Sequence, residues 1–212
     1  FPYTTLFRSA ASHGVNRAGL LEDLQNLPAR SIVVLHACCH NPTGVDLQTE
    51  DWKAVLDVLR EREHVPFLDI AYQGFGEGID QDAFAVRLFA ESGLPFFVSS
   101  SFSKSFSLYG ERVGGLSVVC KDEAQAKAVQ GQLQFNIRRI YSSPPSHGGH
   151  VVDIVMNDEA LFNEWVQEVY VMRDRIKDMR QKLRDSLEAK LPGRSFEYIT
   201  KQNGMFSYTG LT

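Results

Sequence analysis

The chain has 212 residues, enough to bury a substantial core in one or two domains, and its 43% hydrophobic and 23% charged residues are ordinary for a globular protein. A net charge of -4 supplies no basic face for nucleic acid, and no apolar run of about 18 residues is present to span a bilayer. The first residues lack the zones of a secretory signal, and Cys38, Cys39 and Cys120, odd in number with two adjacent, suit neither a disulfide framework nor a zinc site. Reduced thiols in the cytoplasm are the expected state. His36 and His40 flank the cysteine pair without a convincing third metal ligand, so they read as structural histidines.

Ser31 to Leu35 is a short continuous apolar run ending in an Asn41-Pro42-Thr43-Gly44 turn, which predicts a strand buried on both faces. A helix follows, with Thr49 as a cap and Trp52, Val55, Leu56 and Leu59 forming one apolar stripe. Val65 to Ile70 is the next strand, then a Gly-rich stretch from Tyr72 to Gly78 and a helix around Ala83 to Ser92. Pro95 to Ser99 and Leu116 to Cys120 complete four strands, and their alternation with helices indicates an α/β fold with a mostly parallel sheet flanked by helices.

Gln125 to Gln134 reads as helical, with a break expected across Arg138 to Pro145 at the proline pair. From Leu161 to Leu187, apolar residues recur at three- and four-residue steps, which predicts a helix of about seven turns. Its acidic and basic residues are mixed, which argues against a membrane-surface helix.

The chemistry concentrates in Ser101 to Gly114. Lys104 sits among Ser101, Ser103, Ser105 and Ser107, with Arg112 eight residues on. An amine that attacks a carbonyl must be partly neutral near pH 7, while hydroxyls and an arginine fork suit a phosphate monoester. A Schiff-base lysine beside a phosphate cup implies pyridoxal phosphate; a Ser-rich surface turn with a solvated lysine is the alternative. In an open parallel sheet, ligands sit beyond the carboxyl ends of the strands. Three strand ends here carry distinctive polar residues: Asn41, then Asp69 with Tyr72, then Ser101 to Lys104. A carboxylate at the end of an apolar strand needs a partner, and a protonated pyridine nitrogen would be one.

These residues resemble the class I, fold type I aminotransferases that use pyridoxal phosphate, in their aspartate and aromatic amino-acid branch of bacterial type. The resemblance rests on His40-Asn41-Pro42-Thr43-Gly44, Asp69-Ile70-Ala71-Tyr72-Gln73-Gly74-Phe75, the Ser101–Gly114 segment, Arg138 to Pro145, and Lys201 to Tyr208. It implies that Lys104 forms the internal aldimine and shuttles the substrate α-proton. Asp69 would pair with the pyridine nitrogen, Asn41 and Tyr72 would donate to the phenolic oxygen, and Ser101, Ser103 and Arg112 would belong to the cofactor site. Asn41, Arg138 and Phe206 would meet substrate, Arg138 by reaching into the neighbouring subunit's site of a homodimer. Phe102 departs from the tyrosine often found at its position, a change of packing more than of chemistry.

The implied reaction is ping-pong transamination between an L-amino acid, aromatic with aspartate secondary, and 2-oxoglutarate. The alternatives are another fold type I enzyme, such as a carbon–sulfur lyase or decarboxylase, or an inactive fragment retaining the fold. Family members are about twice as long, so the chain is expected to be a fragment with little activity alone. Within it, 1–11 does not fit the family, 12–150 is part of the cofactor-binding large domain, 151–190 is a long interdomain helix, and 191–212 begins a smaller α+β domain.

Overall fold

Four apolar strands make one sheet: β1 (Ile32–His36), β2 (Val65–Ile70), β3 (Phe96–Ser101) and β4 (Gly114–Val119). They lie in the order β1-β2-β3-β4, with β1, β2 and β3 parallel and β4 antiparallel to β3. The computed structural model that shows this describes residues 9 and 11–210, so most of the 1–11 segment lies outside the described residues.

Helix α1 (Arg17–Asn26) precedes β1, α2 (Thr49–Glu61) joins β1 to β2, and α3 (Ile79–Asp82) with α4 (Phe84–Glu91) joins β2 to β3. The stripe expected on α2 is buried, with Trp52, Val55, Leu56 and Leu59 at most 6% exposed. It packs with Leu68, Phe89, Phe96 and Val98 into one core, where Trp52 meets Phe89 edge-on at 6.1 Å. Fully burying each such side chain stabilises the fold by about 1.5–3 kcal/mol. The α2 cap differs from the expected one. Thr49 is the first helical residue, and the boundary residue is Gln48, whose N–H donates to the Asp51 carboxylate at 3.0 Å.

Side chains alternate across a strand, so the sheet has two distinct faces. Val33, Pro66, Leu68, Ile70, Phe96 and Val98 face the helices and are buried. The other face carries Ile32, Val34, Phe67 and Phe97, then His36, Asp69 and Ser99. Here β1 departs from the expectation of two buried faces, because Ile32 is 67% and Val34 47% exposed. The reason is positional: β1 is the edge of the sheet, and among the described residues its second face has no covering layer.

Beyond β4, α5 (Glu123–Ile140) runs on through Arg138 and Arg139 and ends within the Arg138–Pro145 stretch, before the proline pair. Its first turn is capped by Asp122, which accepts from the Gln125 N–H at 2.7 Å. Two helices occupy the next stretch, α6 (His147–Asn157) and α7 (Glu159–Lys190), separated at Asp158, whose backbone is extended and whose side chain accepts from the Leu161 N–H. At 32 residues, α7 is roughly 48 Å long. No helix among the described residues is long and apolar enough to cross a membrane.

Candidate active site

Register brings three polar side chains into one row at the carboxyl ends of the parallel strands. His36 on β1 and Ser99 on β3 are the direct neighbours of Asp69 on β2. The Ser99 hydroxyl donates to Asp69 Oδ1 at 2.9 Å, and His36 Nε2 lies 3.9 Å from Oδ2. Burial lowers the His36 pKa against the opposing pull of Asp69. His36 Nδ1 accepts the Asn41 N–H at 3.2 Å, so in the neutral ring the proton resides on Nε2, the nitrogen that faces Asp69.

The turn after β1 is held from below. Asp46 accepts the N–H groups of Cys39 and His40 at 2.9 and 2.8 Å, which fixes the chain entering Asn41. The Asn41–Pro42 peptide is cis, and Gly44 takes a left-handed conformation at φ 69°. A Cβ on Gly44 would come within 2.5 Å of the Phe206 carbonyl, so this position requires glycine for both conformation and space. The His40 ring lies 4.9 Å from that of His36 in a tilted arrangement, and its Nδ1 is 2.8 Å from Thr43 Oγ1; burial first, then His36, pushes its pKa down to about 4.

Lys104 follows β3 on a turn. Its Nζ lies 4.7 Å from the centre of the Tyr72 ring, and among the described residues no carboxylate pairs with it. Lys104, Asn41, Asp69 and Tyr72 line one cavity of ≈ 90 Å³, together with His36, Cys38 and Ala71. A larger groove of ≈ 1040 Å³, which runs along β1 and α1, shares His36, Asn41 and Asp69 with it. Burial raises the pKa of the Tyr72 phenol, so at neutral pH it stays protonated and able to donate. Ser101 Oγ accepts the Ser103 N–H at 3.3 Å, and Ser103 is buried. Arg112 is exposed with left-handed backbone at φ 54°, and its Nη1 donates to the Tyr109 carbonyl.

Ser101, Ser103 and Arg112 are not among the residues lining the Lys104 cavity, and neither are the other two residues singled out from the sequence. Phe206 packs edge-on against Tyr72 at 6.1 Å and so borders the site. Arg138 is exposed on α5, donates to Ser142 Oγ at 2.7 Å, and is not among the residues lining the Lys104 cavity.

Two features of the site escaped the sequence reading. His36 and Ser99 belong to the Asp69 row, and the only local signal was that a polar residue stands near the end of each strand. Arg180, on α7, is buried and donates to the carbonyls of Gln202, Gly204 and Phe206, each at 2.6 Å, thereby fixing the segment that carries Phe206. Asn203 ties this segment to the first turn, through its N–H to the Gly44 carbonyl and its side chain to Asp46.

Cys38, Cys39 and Asp82 bring one donor atom each within 4.8 Å of one another, all buried. Asp82 already accepts N–H groups from Gly74, Gly76 and Glu77. The hydrogen bond with Cys39, and then burial, push the Cys38 thiol up, so the pair reads as protonated core thiols.

Residues 2–212 match the family model for aminotransferase class I and II, and the chain belongs to that family. It is 63% identical over 206 residues to an aspartate aminotransferase of Pseudomonas aeruginosa, covering 97% of this chain and 52% of that protein. It is 58% identical over 202 residues to an aromatic-amino-acid aminotransferase of Escherichia coli, covering 95% and 51%. Among solved structures it superposes with TM-score 0.95 on an aromatic-amino-acid aminotransferase from Burkholderia pseudomallei covalently bound to pyridoxal phosphate. That pair is 54% identical, over 97% of this chain and 52% of the other. The chain spans about half the length of the curated relatives it matches.

Proposed function

We propose that the protein carrying this chain is a cytoplasmic, homodimeric, pyridoxal-phosphate-dependent aminotransferase. It exchanges amino groups between an L-amino acid, aromatic by preference with aspartate secondary, and 2-oxoglutarate, in a ping-pong sequence. The observation that carries this reading is the convergence of Lys104, Asp69, Asn41 and Tyr72 on one cavity.

The donor set fits the cofactor. Asp69 has one carboxylate oxygen bonded to Ser99 and a second for a ring N–H, Tyr72 is a protonated phenol, and Lys104 has no competing carboxylate among the described residues. Ser101, Ser103 and Arg112 would hold the phosphate through hydroxyls and a guanidinium, and Asn41 and Tyr72 would donate to the phenolic oxygen. When bound, pyridoxal phosphate supplies an electron sink for the carbanion formed at the substrate α-carbon.

Lys104 has two roles in this reading. Its amine would anchor the cofactor and, once freed by substrate, would act as the general base that accepts the substrate α-proton. Asp69 would pair with the protonated ring nitrogen and stabilise its positive charge. Arg138 would serve the neighbouring subunit by pairing with the distal carboxylate of a dicarboxylic substrate, which accounts for its distance from this chain's own cavity. Phe206, held against Tyr72, gives the substrate side chain an aromatic neighbour.

Amino-group exchange in the whole protein tests the reading. The expected result is transfer from phenylalanine, tyrosine and aspartate to 2-oxoglutarate, with parallel double-reciprocal lines. Release of many equivalents of keto acid per cofactor without an acceptor, beyond the single equivalent of the first half-reaction, would point instead to a lyase and overturn it.

A further inference from the structure

Ser99 stands opposite Asp69 in the parallel β2–β3 register, with both side chains on the face away from the helices. A serine near a strand end ordinarily satisfies its hydroxyl on nearby backbone. Ser99 instead donates across the strands to Asp69 Oδ1 at 2.9 Å. Among the described residues it is the one side chain within hydrogen-bond distance of that carboxylate, since His36 Nε2, at 3.9 Å, is too far. The Asp69 side chain is 38% exposed, and a carboxylate's terminal torsion is broad, so packing alone leaves its plane free to turn. A hydroxyl donating to an ionised oxygen is among the stronger hydrogen bonds and fixes that plane.

We propose that Ser99 is a positioning residue of the cofactor site: it orients the Asp69 carboxylate, leaving the second oxygen for the cofactor's ring nitrogen. This rests on the reading of Asp69 given above. Ser99 touches neither cofactor nor substrate and acts through Asp69 alone, so its effect must vanish when Asp69 is removed. That requirement separates positioning from a simple packing role on β3.

The test is a double-mutant cycle in the whole protein, with the dissociation constant of pyridoxal phosphate read by titrating apoprotein and following the absorbance band of the lysine-linked cofactor. Ser99→Ala is expected to weaken binding about two- to tenfold, the range of one net hydrogen bond. Ser99→Thr, which keeps the hydroxyl, should restore affinity to within about twofold of the parent. In an Asp69→Ala background, Ser99→Ala should produce no further loss. If Asp69→Ala weakens binding but Ser99→Ala does not, or if the two losses simply multiply, Ser99 has no positioning role while the reading of Asp69 stands. If Asp69→Ala leaves the constant unchanged, the reading of Asp69 itself fails, and the role of Ser99 fails with it.

Discussion

The indole N–H of Trp165 donates to the backbone carbonyl of Ser105 at 2.8 Å, one residue past Lys104. Trp165 also stacks on Phe106 at 4.8 Å, so α7 grips the lysine turn from outside the sheet. Further along the same helix, Val169 packs at Gly74, Arg173 bonds the Glu77 carbonyl, and Arg180 bonds three carbonyls of the Phe206 segment. One helix therefore braces the lysine turn, the chain after Asp69 and Tyr72, and the aromatic neighbour of Tyr72.

Trp165→Phe keeps the stacking surface and removes the hydrogen bond, leaving the Ser105 carbonyl without its indole partner. The expected cost is about 1 kcal/mol of folding stability, measured by urea unfolding. Amide exchange at residues 104–107 should accelerate by a larger factor than exchange in β2. Uniform acceleration across the sheet would mean that Trp165 stabilises the fold without specifically bracing the turn.

Arg180→Met should be more damaging, because it removes the partner of three carbonyls beside a buried core. Each unsatisfied buried group costs about 1–3 kcal/mol, so a total near 3 kcal/mol or more is expected. Arg180→Lys retains the charge but not the planar fork, and should recover only part of that loss. Full recovery by lysine would show that charge, not the geometry of the three bonds, is what matters.

Much of the scaffold was legible because its signals are local. The α2 stripe and the apolar run of β2 state their own periodicities, and the Asn41 turn and the Lys104 segment announce themselves by composition. What the sequence hid depends on partners distant along the chain. Whether Ile32 and Val34 are buried is decided by what covers the edge of the sheet, not by their own hydrophobicity. That His36 and Ser99 flank Asp69 follows from the pairing of three strands, and a one-residue slip would have turned the side chains of a whole strand to the other face. Arg180 looked like one more charge on a mixed helix until its carbonyl partners, 22 to 26 residues on, folded back onto it.

Arg138→Leu tests the proposed pairing of Arg138 with a dicarboxylic substrate. For aspartate and glutamate, kcat/KM should fall roughly 10- to 100-fold, the scale of one charge-assisted contact, while phenylalanine changes by about threefold or less. An equal loss for all three substrates would remove Arg138 from recognition of the distal carboxylate.

The histidine pair makes stability pH-dependent. The folded-state pKa of His40 is pushed down to about 4 from 6.5, so between these values the unfolded chain binds more protons than the folded one. Stability is thus fully present above about pH 6.5 and is lost as the pH falls towards 4. His36, also lowered by burial, adds in the same direction, whereas Asp46, raised by burial, opposes it. For a partly buried ring the loss should be on the order of 2 kcal/mol. Urea midpoints measured across this range should slope less steeply in His40→Asn than in the parent. Identical slopes would mean that other groups carry the acid sensitivity.

Lys104 is the residue proposed to bind the cofactor covalently. Borohydride reduction of the cofactor-loaded protein, followed by peptide mass mapping, tests it directly. The expected result is a pyridoxyl phosphate adduct on Lys104 that disappears in Lys104→Ala. An adduct on another lysine, or none on a protein that has taken up the cofactor, would contradict it.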